Sequence, residues 1–102
     1  MTGQMSIAFA ESAVQDMEDI LAYYVDQALP QVGSRLVAEI IADIELLSSQ
    51  PRMGRMVPEF EQDFLLELIR PPFRIVYRVD REQVRIVRVW RSERLLKLPH
   101  DG

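Results

Sequence analysis

The sequence predicts an α+β domain: one short strand, an antiparallel helix hairpin, then a three-stranded antiparallel meander, with the helices packed on one face of the sheet. Three observations carry this. Apolar residues recur at helical spacing in two blocks between residues 12 and 48. From residue 64 to residue 90 the pattern changes to one near period two, as in a half-buried strand. Pro51-Arg52-Met53-Gly54-Arg55 separates the two regimes and reads as a loop.

Ser6-Ile7-Ala8-Phe9-Ala10 alternates small or polar residues with Ile7 and Phe9, giving the first strand. Ser12 is placed to cap the first helix, with Gln15 three residues on completing a capping box. Val14, Met17, Leu21, Tyr24 and Val25 form its apolar face, and Asp16, Glu18, Asp19 and Asp26 are expected to face water. Ala28-Leu29-Pro30 ends this helix, and Pro30 suits the first turn of the next. Leu36, Ile40, Ile44 and Leu47 make the second apolar stripe, flanked by Val37 and Ile41, until the helix ends near Ser48 ahead of Pro51. Gly33 lowers helix propensity, so it marks either a close helix–helix approach or a later helix start.

In the second regime Phe64–Ile69 is a strand, punctuated by Pro71-Pro72. Phe73, Ile75, Tyr77 and Val79 then alternate with Arg74, Val76 and Arg78, which defines a strand with one apolar face. Asp80-Arg81-Glu82 is a tight connection, so Gln83–Trp90 folds back as a hairpin. There the parity slips: Val84 and Ile86 share one face, Val87 and Val89 the other, as in a strand covered on both sides or one with a bulge. Glu93 to Leu98 forms a final helical turn or a tail.

At 102 residues, 48% of them hydrophobic, the chain can bury one core and is expected to be a single domain over residues 1–102. There is no cysteine, which removes disulfides, thiolate nucleophiles and zinc–thiolate sites. One histidine and scattered carboxylates do not make a metal-ligand cluster, and no Gly-rich phosphate loop is present, so neither a metal nor a cofactor is expected. No secretion signal and no membrane span is visible, which predicts a cytoplasmic protein with no membrane partner. Charge is segregated: residues 1–50 hold eight acids and one base, residues 51–102 eight acids and eleven bases, all arginine except Lys97. Arginine's planar fork suits carboxylates and phosphates, so the second half offers a surface for an anionic partner. The alternative is that its arginines pair with the acidic helices.

The ordered combination is specific. A short strand at Ile7–Phe9, two helices, Pro51-x-x-Gly54-Arg55, a hydrophobic strand, Arg74-Ile75-Val76-Tyr77-Arg78-Val79 and Val84-Arg85-Ile86-Val87-Arg88-Val89 before a basic segment together resemble the RelE/ParE toxin superfamily, from Ile7 to about Leu95. The resemblance implies a RelE/ParE-like fold and a toxin that arrests growth when free. It implies a hetero-oligomer with a cognate antitoxin, and promoter DNA bound only through that antitoxin. Members divide by target: RelE-like toxins cut mRNA in the ribosome without a metal, whereas ParE-like toxins poison DNA gyrase and have no known hydrolytic site.

Metal-independent RNA cleavage requires a base for the 2′-hydroxyl, an acid for the leaving oxygen and a cation for the phosphate. Arg55, Tyr77, Arg91 and Arg94, with Arg74, are the candidates for cation and acid. The base is the weak point: the only histidine, His100, lies in the terminal Pro-His-Asp-Gly tail, and Glu59, Glu61 or Glu93 could act as base but are carboxylates of a kind common on any surface. The sequence pI near 4.9 also departs from the strongly basic character that suits an RNA-directed toxin. The expected function is therefore that of a ParE-like gyrase toxin, no catalytic residue being assigned. The alternatives are a RelE-like ribosome-dependent mRNA endonuclease and a non-toxic antitoxin-binding module. The expected antitoxin-binding residues are Arg70, Arg74, Arg78, Arg85, Arg88 and Trp90. Tyr77 shares the apolar parity of its strand and is expected in the core, and Gly54 is expected to serve a turn with positive φ.

Overall fold

A computed structural model describes residues 4–60, 62 and 64–91. Along the chain run β1 (Ser6–Phe9), α1 (Glu11–Asp26), α2 (Pro30–Leu46), β2 (Arg55–Met56), β3 (Leu65–Arg70), β4 (Phe73–Val79) and β5 (Gln83–Arg91). The strands form one sheet in the order β1-β5-β4-β3-β2. The meander β3-β4-β5 is antiparallel, as its short connections require. β1 joins the outer side of β5 in parallel, so the sheet is mixed rather than wholly antiparallel. The helix pair between β1 and the meander supplies the crossover that a parallel partner needs. β2, two residues that begin at the last residue of the segment expected as a loop, pairs with Glu67 and Leu66 as the opposite edge.

One sheet face carries the core. Phe73, Ile75 and Tyr77 from β4, Val84, Ile86 and Val89 from β5 and Leu66 from β3 meet Ala13, Met17 and Ile20 of α1 and Ile40, Ile44 and Leu47 near α2. The α2 stripe is the expected one. That of α1 is rotated by about one residue: Val14 and Val25 are exposed, while Ala13 and Ile20 are buried. The helix has two neighbours, and the flank bearing Leu21 and Tyr24 turns toward α2. Gly33 is the reason they fit, since a Cβ there would lie 3.0 Å from the Tyr24 Cβ and 3.5 Å from the Leu21 Cα. The close-approach reading of Gly33 therefore holds, and α2 starts at Pro30.

α1 ends in a left-handed residue. Ala28 has φ 61°, the Leu29 N–H donates to the Tyr24 carbonyl at 2.7 Å and the Ala28 N–H to the Val25 carbonyl at 2.9 Å. This is the Schellman arrangement with alanine where glycine is usual. At the other end Ala10, not Ser12, occupies the cap position, and no side chain bonds the free amides. Ser12 instead donates to the Val87 carbonyl at 2.6 Å.

That bond marks an irregularity in β5. Tyr77 pairs with Ile86 but Val76 pairs with Arg88, so Val87 is an extra residue. The parity slip in the sequence is this bulge; it lets Val84, Ile86 and Val89 all reach the core. β1 pairs with β5 only as far as Ile86. Beyond it α1 takes over: Asp16 accepts from the Val89 N–H at 2.8 Å and binds Arg88 with both oxygens at 2.8 and 2.9 Å. Asp16, expected to face water, thus caps a strand edge that would otherwise present unpaired groups. Glu93–Leu98, read as a turn or tail, lies outside the described residues.

Candidate functional site

The face of the sheet away from the helices is where the arginines gather. Cross-strand partners share a face. On this one Leu65 stands beside Arg78 and Arg85, Glu67 beside Val76 and Arg88, and Ile69 beside Arg74 and Trp90. Arg55 joins through its pairing with Glu67, and Ala8 through its pairing with Arg85.

The centre of this face is neutralised by its own acids. The Glu67 side chain is fully buried and holds two arginines, with Arg55 Nε at 2.7 Å and Arg74 Nε at 2.6 Å. Glu59, from the segment after β2, closes the other side of Arg74 with bonds of 2.8 and 3.0 Å. These hydrogen bonds raise the Arg74 guanidinium above its ordinary range and lower the Glu59 carboxyl below its own. Arg88 lies 4.7 Å from the Trp90 ring centroid and is fixed by Asp16, whose hydrogen bonds raise it likewise. Among the described residues Arg78 pairs only with Asp80, at 3.7 Å with both side chains about half exposed. Arg85 is exposed and has no ion-pair partner among the described residues.

Of the residues expected to meet an antitoxin, Arg74, Arg78, Arg85, Arg88 and Trp90 therefore fall on one face or its rim. Arg70 does not: it pairs with Phe73 on the helix side and binds Asp43 of α2 at 2.7 and 2.8 Å, which holds its guanidinium above the ordinary range. The pairing of arginines with acidic helices, the alternative reading of the segregated charge, describes Arg70 and Arg88.

Among the described residues the candidates for RNA cleavage do not converge. Arg55 is on the open face, bonded to Glu67. Arg91 pairs with Phe73 on the helix side, its guanidinium 5.6 Å from that ring centroid. Three inter-strand spacings and three residue positions separate the two, roughly 17 Å between Cα atoms. Tyr77 is fully buried, as its parity implied, and its hydroxyl accepts from the Gly54 N–H at 3.0 Å; burial raises its pKa. Gly54 is required for space rather than for positive φ: a Cβ there would lie 2.5 Å from the Glu67 carbonyl oxygen and 2.6 Å from the Tyr77 hydroxyl. Arg94, His100, Glu61 and Glu93 lie outside the described residues.

Sequence reasoning missed Asp16, Asp43 and Glu67 as the partners of this arginine set. The signal for Glu67 was a lone acid in an apolar strand run, Leu65-Leu66-Glu67-Leu68-Ile69. A groove of about 530 Å³ opens between α1 and the end of β5, lined by Tyr23, Tyr24, Phe73, Trp90 and Arg91 among others. Among the described residues no group of His, Asp or Glu is placed to hold a metal ion, and no helix is long and apolar enough to cross a membrane.

The chain is thus a helix hairpin on one face of a mixed five-stranded sheet, with arginines ranked on the other. The family model described as the ParE toxin of the type II toxin–antitoxin system parDE matches residues 7–96. The chain belongs to that family. A chain of the chromosomal ParDE toxin–antitoxin system from P. aeruginosa is similar at 25% identity and TM-score 0.72, covering 88% of this chain and 98% of that one. A chain of the RelBE2 toxin–antitoxin complex from Mycobacterium tuberculosis shares the fold at 23% identity and TM-score 0.58, covering 86% and 98%. Comparison with curated proteins gives no match.

Proposed function

We propose that this toxin arrests growth by protein–protein contact with DNA gyrase in the bacterial cytoplasm. A cognate antitoxin bound to the open, arginine-bearing face would hold it inactive and would carry any promoter binding. The observation that carries the gyrase reading is the dispersal of the candidate nuclease groups. Arg55 and Arg91 point to opposite faces, Arg55 is engaged by Glu67, and the Tyr77 hydroxyl is buried and already bonded. Acid–base cleavage of RNA needs these groups within hydrogen-bond reach of one phosphodiester. A toxin that works by contact has no such requirement. The structures of similar chains belong to toxin–antitoxin systems, which supports the antitoxin as partner.

The test is to induce the chain alone in bacteria and follow labelled amino-acid and thymidine incorporation over the first minutes. Gyrase inhibition predicts that DNA synthesis stops and cells filament while protein synthesis continues. A prompt collapse of protein synthesis would replace this reading with ribosome-dependent mRNA cleavage. Undisturbed growth with folded protein present would leave a non-toxic antitoxin-binding module.

A further inference from the structure

We infer that the cross-strand pair Arg78–Arg85 is the carboxylate-binding element of the partner contact, and that its occupant is an acidic segment of the antitoxin. The inference rests on the toxin–antitoxin reading above. Arg78 and Arg85 are direct register partners on β4 and β5, both exposed on the open face. Like charges directly opposite each other in a sheet destabilise it. Arg55, Arg74 and Arg88, on the same face, each have a carboxylate oxygen within 2.8 Å. At Arg78–Arg85 the one acid in ion-pair range among the described residues is Asp80, 3.7 Å from Arg78. No other acid among the described residues forms an ion pair with either arginine.

The molecule carries its own example of what would relieve it. Glu67 sits between Arg55 and Arg74, one carboxylate held by two guanidinium groups at 2.7 and 2.6 Å. Side chains of directly opposed residues start about 5 Å apart at Cβ, so a single incoming carboxylate can bridge Arg78 and Arg85 in the same way. Their outer neighbours in the row are Ala8 and Leu65, which put apolar surface on either side of the two charges, as at an interface anchored by arginine. Nucleic acid is the poorer match. Its binding draws on many phosphate contacts, whereas this element offers two exposed arginines, one of them already in a long ion pair with Asp80, on a chain of net charge −4.

The test is calorimetric titration of the purified cognate antitoxin into the wild-type toxin, Arg78→Ala/Arg85→Ala, Arg85→Glu and, as a control on the exposed hairpin turn, Arg81→Ala. The double variant is expected to bind roughly tenfold to a hundredfold more weakly, and Arg81→Ala within about threefold of wild type. Arg85→Glu gives Arg78 an internal partner, so it should raise the Tm of the free toxin by about 3 °C while weakening the complex. If the double variant binds as tightly as the wild type, the Arg78–Arg85 assignment is wrong and the toxin–antitoxin reading stands. If the wild type itself does not bind, the underlying reading fails. A fluorescent DNA or RNA duplex bound by the free wild type and released by the double variant would overturn the acidic-protein class of occupant.

Discussion

On the helix side of β4, Phe73, Ile75 and Tyr77 are fully buried among apolar side chains of both helices; on the open side Arg74 is buried in a ring of carboxylates while Arg78, four residues on, stands in solvent. The first face is built by a force without direction, and any set of apolar residues of the right volume and parity would serve. The second is built from one-to-one contacts, each requiring a particular acid at a particular place. The difference teaches where to look for function. Where the chain supplies an acid, the arginine is structural; where it does not, the arginine is available to another molecule.

The largest effect should come from the buried end of the open face. Glu67→Gln keeps the shape but leaves Arg55 and Arg74 without their shared charge, and should cost about 3–5 kcal/mol in urea unfolding. A loss below about 1 kcal/mol would mean that the network is dispensable and that the two ends of the face do not differ as argued. A smaller loss is expected at the edge of β5. Asp16→Ala removes the bidentate partner of Arg88 and the acceptor for the Val89 N–H. It should cost about 2 kcal/mol and speed hydrogen exchange at Val89, with the core amides of β4 little changed.

The smallest effect is in pH. Arg74 lowers the Glu59 carboxyl below its ordinary value of 4.5. The unfolded chain therefore takes up this proton first as pH falls. The stability that Glu59 contributes is fully present above pH 4.5 and is lost progressively below it, through the folded-state pKa. Thermal unfolding of wild type and Glu59→Gln should differ most above that value and converge as the pH falls below it. A constant gap across the range would remove Glu59 from the network.

Much of the fold was legible because it rests on local pattern. The period change after Pro51, the Pro30 helix start and the parity of Phe73–Val79 all survive in the structure. The bulge was legible as a slip without a location, because the slip alone does not say which residue is extra. What was not legible depends on contacts distant in sequence. Asp16 reads as a solvent-facing helix acid until Arg88, 72 residues later, is placed beside it. Ser12 has the spacing of a capping box, but the end of β1 brings the Val87 carbonyl within its reach. Gly54 looks like a turn residue and is in fact a gap for the Tyr77 hydroxyl. The arginines of the open face were visible as a parity set, but which of them lack an internal acid was not.

We propose that this toxin acts by contact with gyrase and not by cutting RNA. The most direct measurement is DNA supercoiling by purified gyrase with increasing amounts of the purified toxin, alongside a ribosome-programmed mRNA integrity assay at the same concentrations. The account predicts loss of supercoiling with the mRNA intact. Undiminished supercoiling together with cleaved mRNA would contradict it.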